Sequence, residues 1–379
     1  MINLSRQSLC QKDIQSVLST LKSNKITRGS SVINFEKAIC KYTGCKYAVA
    51  VNSASSALLL AYKVLGLKPK EIVWTTPVTF VSTLTSALHL GANFDFVDIG
   101  KDFNLDFELF KKKLLSTKKK FRPNILTNVH LRGLPTDQEK FFKLKKKFNF
   151  KIIEDASHSL GGSHKKNKVG SCKWSDIAVL SFHPSKTITT GEGGMILTNK
   201  KEYYKLLLLL RNNFIDKDSR QSSFEYEFKD IGYNFWMNDI QASLGLSQLS
   251  KINFFLKKRT EKAKIYDALF KGTKFFVESN FKDKKSSNHL YLINCQSYKN
   301  KIHLMGKLRN VGIETTTHYP LLYKQKFIAK FKKEKFKFKK TPNSEKYSKS
   351  YLSIPIFPDL TKKEQVYIVK NILKYSIKN

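Results

Sequence analysis

"YAVAVNSASSALLLAYKVLG" (Tyr47–Gly66) decides the fold. Its first five residues are apolar without alternation, as in a strand buried on both faces. A polar turn, Asn52-Ser53-Ala54-Ser55, then opens into an apolar helix that Gly66 closes. Strand, polar turn and helix together form one unit of an α/β layer.

Outward from this unit the alternation continues. Before it, Ile14, Val17, Leu18 and Leu21 share one face of a helix predicted over residues 12–21. After it come strand "EIVWTTP", a helix over Val78–Leu90, strand "FDFVDI" and a lysine-rich helical stretch. Strand "NILTNVH", helix Gln138–Lys147, strand "FKIIEDA" and the short apolar runs "DIAVLSF" and "GMILTN" follow. Strands alternating with helices predict a large mixed, mostly parallel sheet. Past Ile240 the texture changes to one long helical stretch, "QASLGLSQLSKINFFLKKRTEKAKIYDALF". Then come strand "HLYLINC", helix "HLMGKLRNV" and strand "IETTTHY", which read as a smaller C-terminal α+β domain. The division is expected between residues 1–245 and 246–379. Lys324–Lys340 reads as an exposed helix or loop.

Bulk properties exclude several classes. A chain of 379 residues with 41% hydrophobic and 12% aromatic residues carries enough apolar material for a sizeable core. Its five cysteines are odd in number and form no CxxC pair, which predicts free thiols in a reducing cytoplasm. No signal-like segment opens the sequence, and Leu206–Leu210 is far too short to span a bilayer. The net charge of +39 comes from lysines spread over almost every helix, including Lys332–Lys340, with no nucleic-acid module beside them. Such a surface attracts anionic substrates such as a nucleotide diphosphate.

Three features carry chemistry. Asn52–Ser55 precedes a helix, where backbone N–H groups and small hydroxyls suit a phosphate; the same turn also serves as an ordinary helix cap. Asp155 ends a strand, with His158 three residues on. It is either a helix cap or the partner of a protonated ring nitrogen. In "SFHPSKTITTGEGGMILTN" (Ser181–Asn199) a single lysine, Lys186, sits in a charge-poor, glycine-rich turn. Partial burial lowers a lysine pKa and favours the free amine that condenses with an aldehyde. Lysine, strand-end acid and phosphate cradle are together what pyridoxal 5'-phosphate requires. "GEGG" lacks P-loop spacing, no GxGxxG is present, and Glu154, Asp155 and His158 lack the second histidine cluster of a metal site.

"EDASHSLGG", "SFHPSKTITTGEGGMILTN" and "GYNFWMNDIQASLGLSQL" resemble the three hallmark blocks of the nucleotide-sugar aminotransferases, the DegT/DnrJ/StrS group. The likeness runs from "ITRG" to "THYP". "NSASSALLLAY", "VGSCKWSD", "KDKKSSNHLY" and "GLSQL" look closest to the branch that serves pseudaminic-acid biosynthesis. The resemblance implies a fold-type I PLP-dependent transferase that passes the amine of L-glutamate to C4 of a UDP-linked 4-keto-6-deoxy-N-acetyl-hexose, as a homodimer with shared sites. It implies that Lys186 bonds the cofactor's aldehyde and shuttles the proton, and that Asp155 pairs with the pyridine nitrogen. Phe80 stacks on the ring, and His158 lies beside it. Ala54, Ser55 and Ser181 hold the phosphate, with Asn234 reaching it from the other subunit. Asn24, Lys25, Ile26, Thr27, Thr316, Thr317, His318 and Tyr319 line the sugar-nucleotide pocket.

Four departures stand out. Ala54 replaces a glycine, Trp236 an arginine and Leu4 an aromatic, and "HLRGLP" puts Arg132 and Leu134 at unusual positions near the ring. Another dTDP- or GDP-linked keto sugar, aminated at C4 or C3, stays open as the substrate. So does a PLP-binding regulatory protein without catalysis.

Overall fold

A computed structural model describes residues 1–216, 227–331 and 340–377. Its elements begin with α1 (Gln11–Leu21), α2 (Ser30–Thr43), β1 (Tyr47–Val51), α3 (Ala54–Val64), β2 (Ile72–Thr75), α4 (Ser82–Leu88) and β3 (Asn93–Phe96). They continue through α5 (Phe107–Ser116), β4 (Ile125–Val129), α6 (Gln138–Phe148), β5 (Lys151–Asp155), β6 (Ile177–Ser181), β7 (Gly194–Thr198) and α7 (Lys201–Arg211). The C-terminal part adds α8 (Asp239–Ser250), α9 (Ile252–Phe270), β8 (Tyr291–Asn294), α10 (Tyr298–Asn310), α11 (Pro342–Ser350), β9 (Tyr351–Ile354) and α12 (Lys362–Tyr375).

β1 to β7 form one seven-stranded sheet in the order β1-β7-β6-β5-β4-β2-β3. Only β7 runs against its neighbours β1 and β6; the remaining pairs are parallel. Every residue of β4, β6 and β7 is buried, because helices cover both faces. β1 shows the two faces directly. Ala48 and Ala50 join a core with Phe35, Ile39 and Phe182, while Val49 and Val51 join one with Leu58, Leu60 and Ile153. β8 and β9 pair as a separate antiparallel ribbon over a third core that includes Tyr266, Phe270, Leu304 and Ile368.

The tertiary structure overrides four local readings. α1 forms as expected, but Ile14, Leu18 and Leu21 are each about half exposed while Asp13 and Thr20 are buried. The polar side wins because it has partners on α8: Asp13 Oδ1 accepts from Ser247 Oγ at 2.6 Å, and Ser16 Oγ donates to the Ser243 carbonyl at 3.0 Å. The helix predicted over Val78–Leu90 begins only at Ser82, leaving Thr79 and Phe80 to line a cavity. The long C-terminal helix is two helices that break at Lys251, whose amine reaches back to Asp13 and to Cys10 Sγ. "IETTTHY" is not a strand. It makes only the single bridges Ile2↔Ile313 and Thr316↔Ser353. Of the lysine-rich stretch, Leu322–Lys324 and Lys326–Phe331 form short 3-10 turns, and 332–339 lie outside the described residues. No described helix is long and apolar enough to cross a membrane.

Candidate active site

The parallel strands deliver their carboxyl ends to one cavity of about 400 Å³. Ala54, Ser55, Phe80, Asp155, His158, Ser181, Lys186, His318 and Tyr319 all line it.

One wall is the start of α3. Ser53 is its N-cap, accepting from the Ser56 N–H at 3.1 Å. The Ala54 and Ser55 N–H groups, in the first turn, have no acceptor among the described residues. They make an electropositive helix end beside the Ser55 and Ser82 hydroxyls, which are 2.6 Å apart. The turn lies so close to β7 that a Cβ on Gly194 would come within 2.4 Å of the Ser53 carbonyl carbon. Only glycine fits there, so the last residue of "GEGG" serves the turn at Asn52–Ser55.

Asp155 closes β5 and is 5% exposed. A buried carboxylate needs donors, and it has three: Thr83 Oγ1 at 2.8 Å, Ser157 Oγ at 2.6 Å and the Ser157 N–H at 3.2 Å. Glu154, one residue earlier, serves a different contact: Oε1 lies 3.1 Å from His130 Nε2 and accepts from the Gly170 N–H at 3.0 Å. Among the described residues no three His, Cys, Asp or Glu side chains could hold a metal ion.

Lys186 sits in a compact turn. Its N–H donates to the His183 carbonyl at 2.9 Å, and the Thr190 N–H returns to Phe182 at 3.0 Å. Burial draws its ammonium down to about 8; Asp155 pulls the other way and the buried Arg259 guanidinium reinforces the drop. Far more neutral amine is therefore present near neutral pH than an ordinary lysine offers.

The remaining wall is histidine-rich. His158 Nε2 is 2.9 Å from the Tyr319 hydroxyl, and burial, Lys186 and His318 hold its pKa well below the usual value, so the ring is neutral. His318 Nδ1 is 2.9 Å from Ser353 Oγ; burial and then Lys186 bring it to about 4. Phe80 is 55% exposed, a free aromatic face at the mouth, with Tyr319 tilted 5.8 Å away.

The structure also separates residues that the resemblance groups together. Asn24, Lys25, Ile26, Thr27 and Asn234 are exposed and lie outside the cavity of their own chain. Thr316 and Thr317 are half-buried and do not line it. Arg132 and Leu134 are buried away from it; the Arg132 guanidinium donates to the Glu278 carbonyl at 3.1 Å. Leu4 does line the cavity.

Sequence reasoning assigned no role to Thr83, Ser157 or His289. His289 lies inside the quoted block "KDKKSSNHLY", is 4% exposed, lines the cavity and packs its ring 4.3 Å from that of His158. Its neighbour Ser287 donates to the His158 carbonyl at 2.7 Å, so this segment braces His158. Thr83 had no local signal, because a threonine in a helix carries no mark of the carboxylate it will meet 72 residues on.

Known proteins resemble this chain over nearly its whole length. A Campylobacter jejuni protein named UDP-4-amino-4,6-dideoxy-N-acetyl-beta-L-altrosamine transaminase is 37% identical over 371 residues, covering 97% of this chain and 96% of its own. Helicobacter pylori PseC, an aminotransferase involved in the biosynthesis of pseudoaminic acid, superposes with a TM-score of 0.91 at 32% identity, covering 99% of both chains. The PLP-form of the sugar aminotransferase Spr1654 from Streptococcus pneumoniae superposes at 0.90 with 26% identity, covering 99% of this chain and 98% of its own. With its family model matching residues 7–373, the chain belongs to the DegT/DnrJ/EryC1/StrS aminotransferase family.

Proposed function

We propose that this aminotransferase uses pyridoxal phosphate to move the amino group of L-glutamate to C4 of a UDP-linked 4-keto-6-deoxy-N-acetyl-hexose, in the cytoplasm. The observation that carries the reading is the shared cavity of a lysine lowered to about 8, a buried strand-end carboxylate and a helix N-terminus with free N–H groups. The nucleotide and sugar follow the names of the Campylobacter and Helicobacter relatives.

The donor set fits the cofactor. The Ala54 and Ser55 N–H groups and the Ser55 and Ser181 hydroxyls would hold the phosphate. Asp155 would keep a ring nitrogen protonated, and Phe80 would cover one ring face. When bound, the cofactor supplies an aldehyde that takes up amines and a ring that draws off electron density. The chain does the rest. Lys186, in its neutral form, would hold the cofactor through its aldehyde, and its Nζ would accept and return a proton during turnover. His158, neutral and tied to Tyr319, donates or accepts one hydrogen bond without adding charge.

Asn24–Thr27 and Asn234 would complete the site of a second subunit, which accounts for their exposure on their own chain. His318 and Tyr319, which line the cavity, would face the sugar nucleotide, with Thr316 and Thr317 behind them.

Borohydride reduction of the yellow holoprotein followed by peptide mapping tests the cofactor; attachment at any lysine other than Lys186 refutes it. Glutamate-dependent amination of a panel of UDP- and dTDP-4-keto sugars tests the substrate, with the UDP-linked N-acetyl sugar expected to be fastest.

A further inference from the structure

Trp236 takes a position where the resemblance expects an arginine, and the structure surrounds it with guanidinium groups. Its indole N–H is engaged with Asn212 Oδ1 at 3.0 Å. The Arg211 guanidinium lies 3.9 Å and that of Arg28 5.3 Å from its ring centre. The two arginines differ in what is left over. Arg211 is buried, pairs with Glu36 Oε1 at 2.6 Å and donates to the Ala50 carbonyl at 2.9 Å. Arg28 is exposed, and among the described residues its side chain makes no ion pair and no hydrogen bond. A guanidinium resting on an aromatic face keeps its planar fork of N–H donors available for a phosphate.

The position of Arg28 is firmly set. Asp239 holds its loop through three groups: Asp239 Oδ2 accepts from the Gly29 N–H at 2.7 Å, Oδ1 accepts from Ser31 at 2.8 Å, and the Asp239 N–H donates to the Ile26 carbonyl at 3.0 Å. Trp236 is anchored too, bridged to Val51 at the end of β1, while the Asn52 N–H donates to the Phe235 carbonyl at 3.0 Å. Arg28 thus rests on a ring two residues from Asn234, and Asn212 links the two positions, bridging Asn234 and accepting from the Trp236 indole, at the edge where β1 enters the α3 turn.

We infer that Arg28, seated on Trp236, binds the diphosphate of the nucleotide sugar in the neighbouring subunit's cavity, supplying an anion contact that the engaged indole cannot make. This rests on the nucleotide-sugar reading above. Arg28 is a specificity residue: it selects substrates that carry a phosphate chain and takes no part in the proton transfers.

Calorimetric titration of the holoprotein with UDP and with uridine tests it, using wild type, Arg28→Gln, Arg28→Lys and Trp236→Leu. Arg28→Gln is expected to weaken UDP about tenfold or more and uridine within about twofold, since only UDP offers charged acceptors to the fork. Arg28→Lys recovers part of the loss, and Trp236→Leu, which removes the seat, gives a smaller loss in the same direction. Equal UDP affinity in Arg28→Gln and wild type overturns the inference alone. So does an equal loss for uridine, which means that the substitution disturbed the pocket generally. A wild-type holoprotein that binds neither UDP nor dTDP overturns the nucleotide-sugar reading and this inference with it.

Discussion

The cavity wall and the surface around Arg28 are built in opposite ways. In the wall, His158 and Lys186 are deep enough for burial to set their chemistry, and Asp155 is buried among its donors. Asp155 has three donors, Lys186 is drawn down to about 8, and the His158 imidazole is neutral. On the surface, Asn24–Arg28 and Asn234 are exposed, and the structural effort goes into fixing the loop rather than tuning a pKa. Bond making needs perturbed groups; recognition of a charged, hydrated ligand needs ordinary groups held in place. On the reading proposed above, the recognition surface of another copy would complete the site.

The sharpest way to break this comparison is at the wall. Lys186→Ala is expected to lower turnover by about 10⁴-fold or more, since among the described residues no other lysine lines the cavity. Wild-type-like transamination in that variant would remove the wall from the chemistry. Asp155→Asn should keep the fold and cost about 10²- to 10³-fold in kcat, because the electron sink loses the charge that keeps its ring nitrogen protonated. Near-normal kcat would reduce Asp155 to a structural cap.

A pH series sharpens the electrostatic half. Burial lowers Lys186 in the folded protein, so the reactive amine gains population as pH rises through about 8 and is lost below it. Cofactor capture by the apoprotein should therefore fall about tenfold per unit below that midpoint. Asp155→Asn should move the midpoint lower, because Asp155 is the group that holds Lys186 up. A midpoint near the ordinary lysine value would mean that the amine is solvated.

Complementation tests the two-copy half. With sites shared as proposed, Asn234→Ala and Lys186→Ala homodimers would each lack a complete site, whereas a heterodimer would have one intact site and one with both lesions. Equal mixing after subunit exchange should restore about a quarter of wild-type activity. No recovery, or an active monomer by light scattering, would show that one chain makes its own complete site. The smallest effect is expected at Asp239, which caps α2 from 210 residues away. Asp239→Ala should cost about 1–2 kcal/mol in denaturant unfolding and weaken UDP more than glutamate.

Much of the wall was legible because its signals are local. A strand end, a polar turn, a charge-poor lysine turn and the spacing between Asp155 and His158 all lie within single elements. The bracing from Thr83, Ser287 and His289 was not, since each meets its target through the fold rather than through neighbours in the chain. The face of α1 misled for a related reason. Periodicity marks Ile14, Leu18 and Leu21 as apolar, but it cannot show that Asp13 has buried partners waiting on α8.

By itself, then, the sequence determined the layered α/β architecture, the strand-end position of Asp155 and the lysine turn, because burial patterns and turn chemistry act over a few residues. Only the tertiary structure decided which groups converge and which stay apart. It put the cap of α2 on Asp239, sent Arg132 away from the cavity, left Asn24–Thr27 outside it and seated Arg28 on Trp236. Those outcomes depend on hydrogen bonds and ring contacts between residues far apart in the chain, whose strength no local pattern encodes.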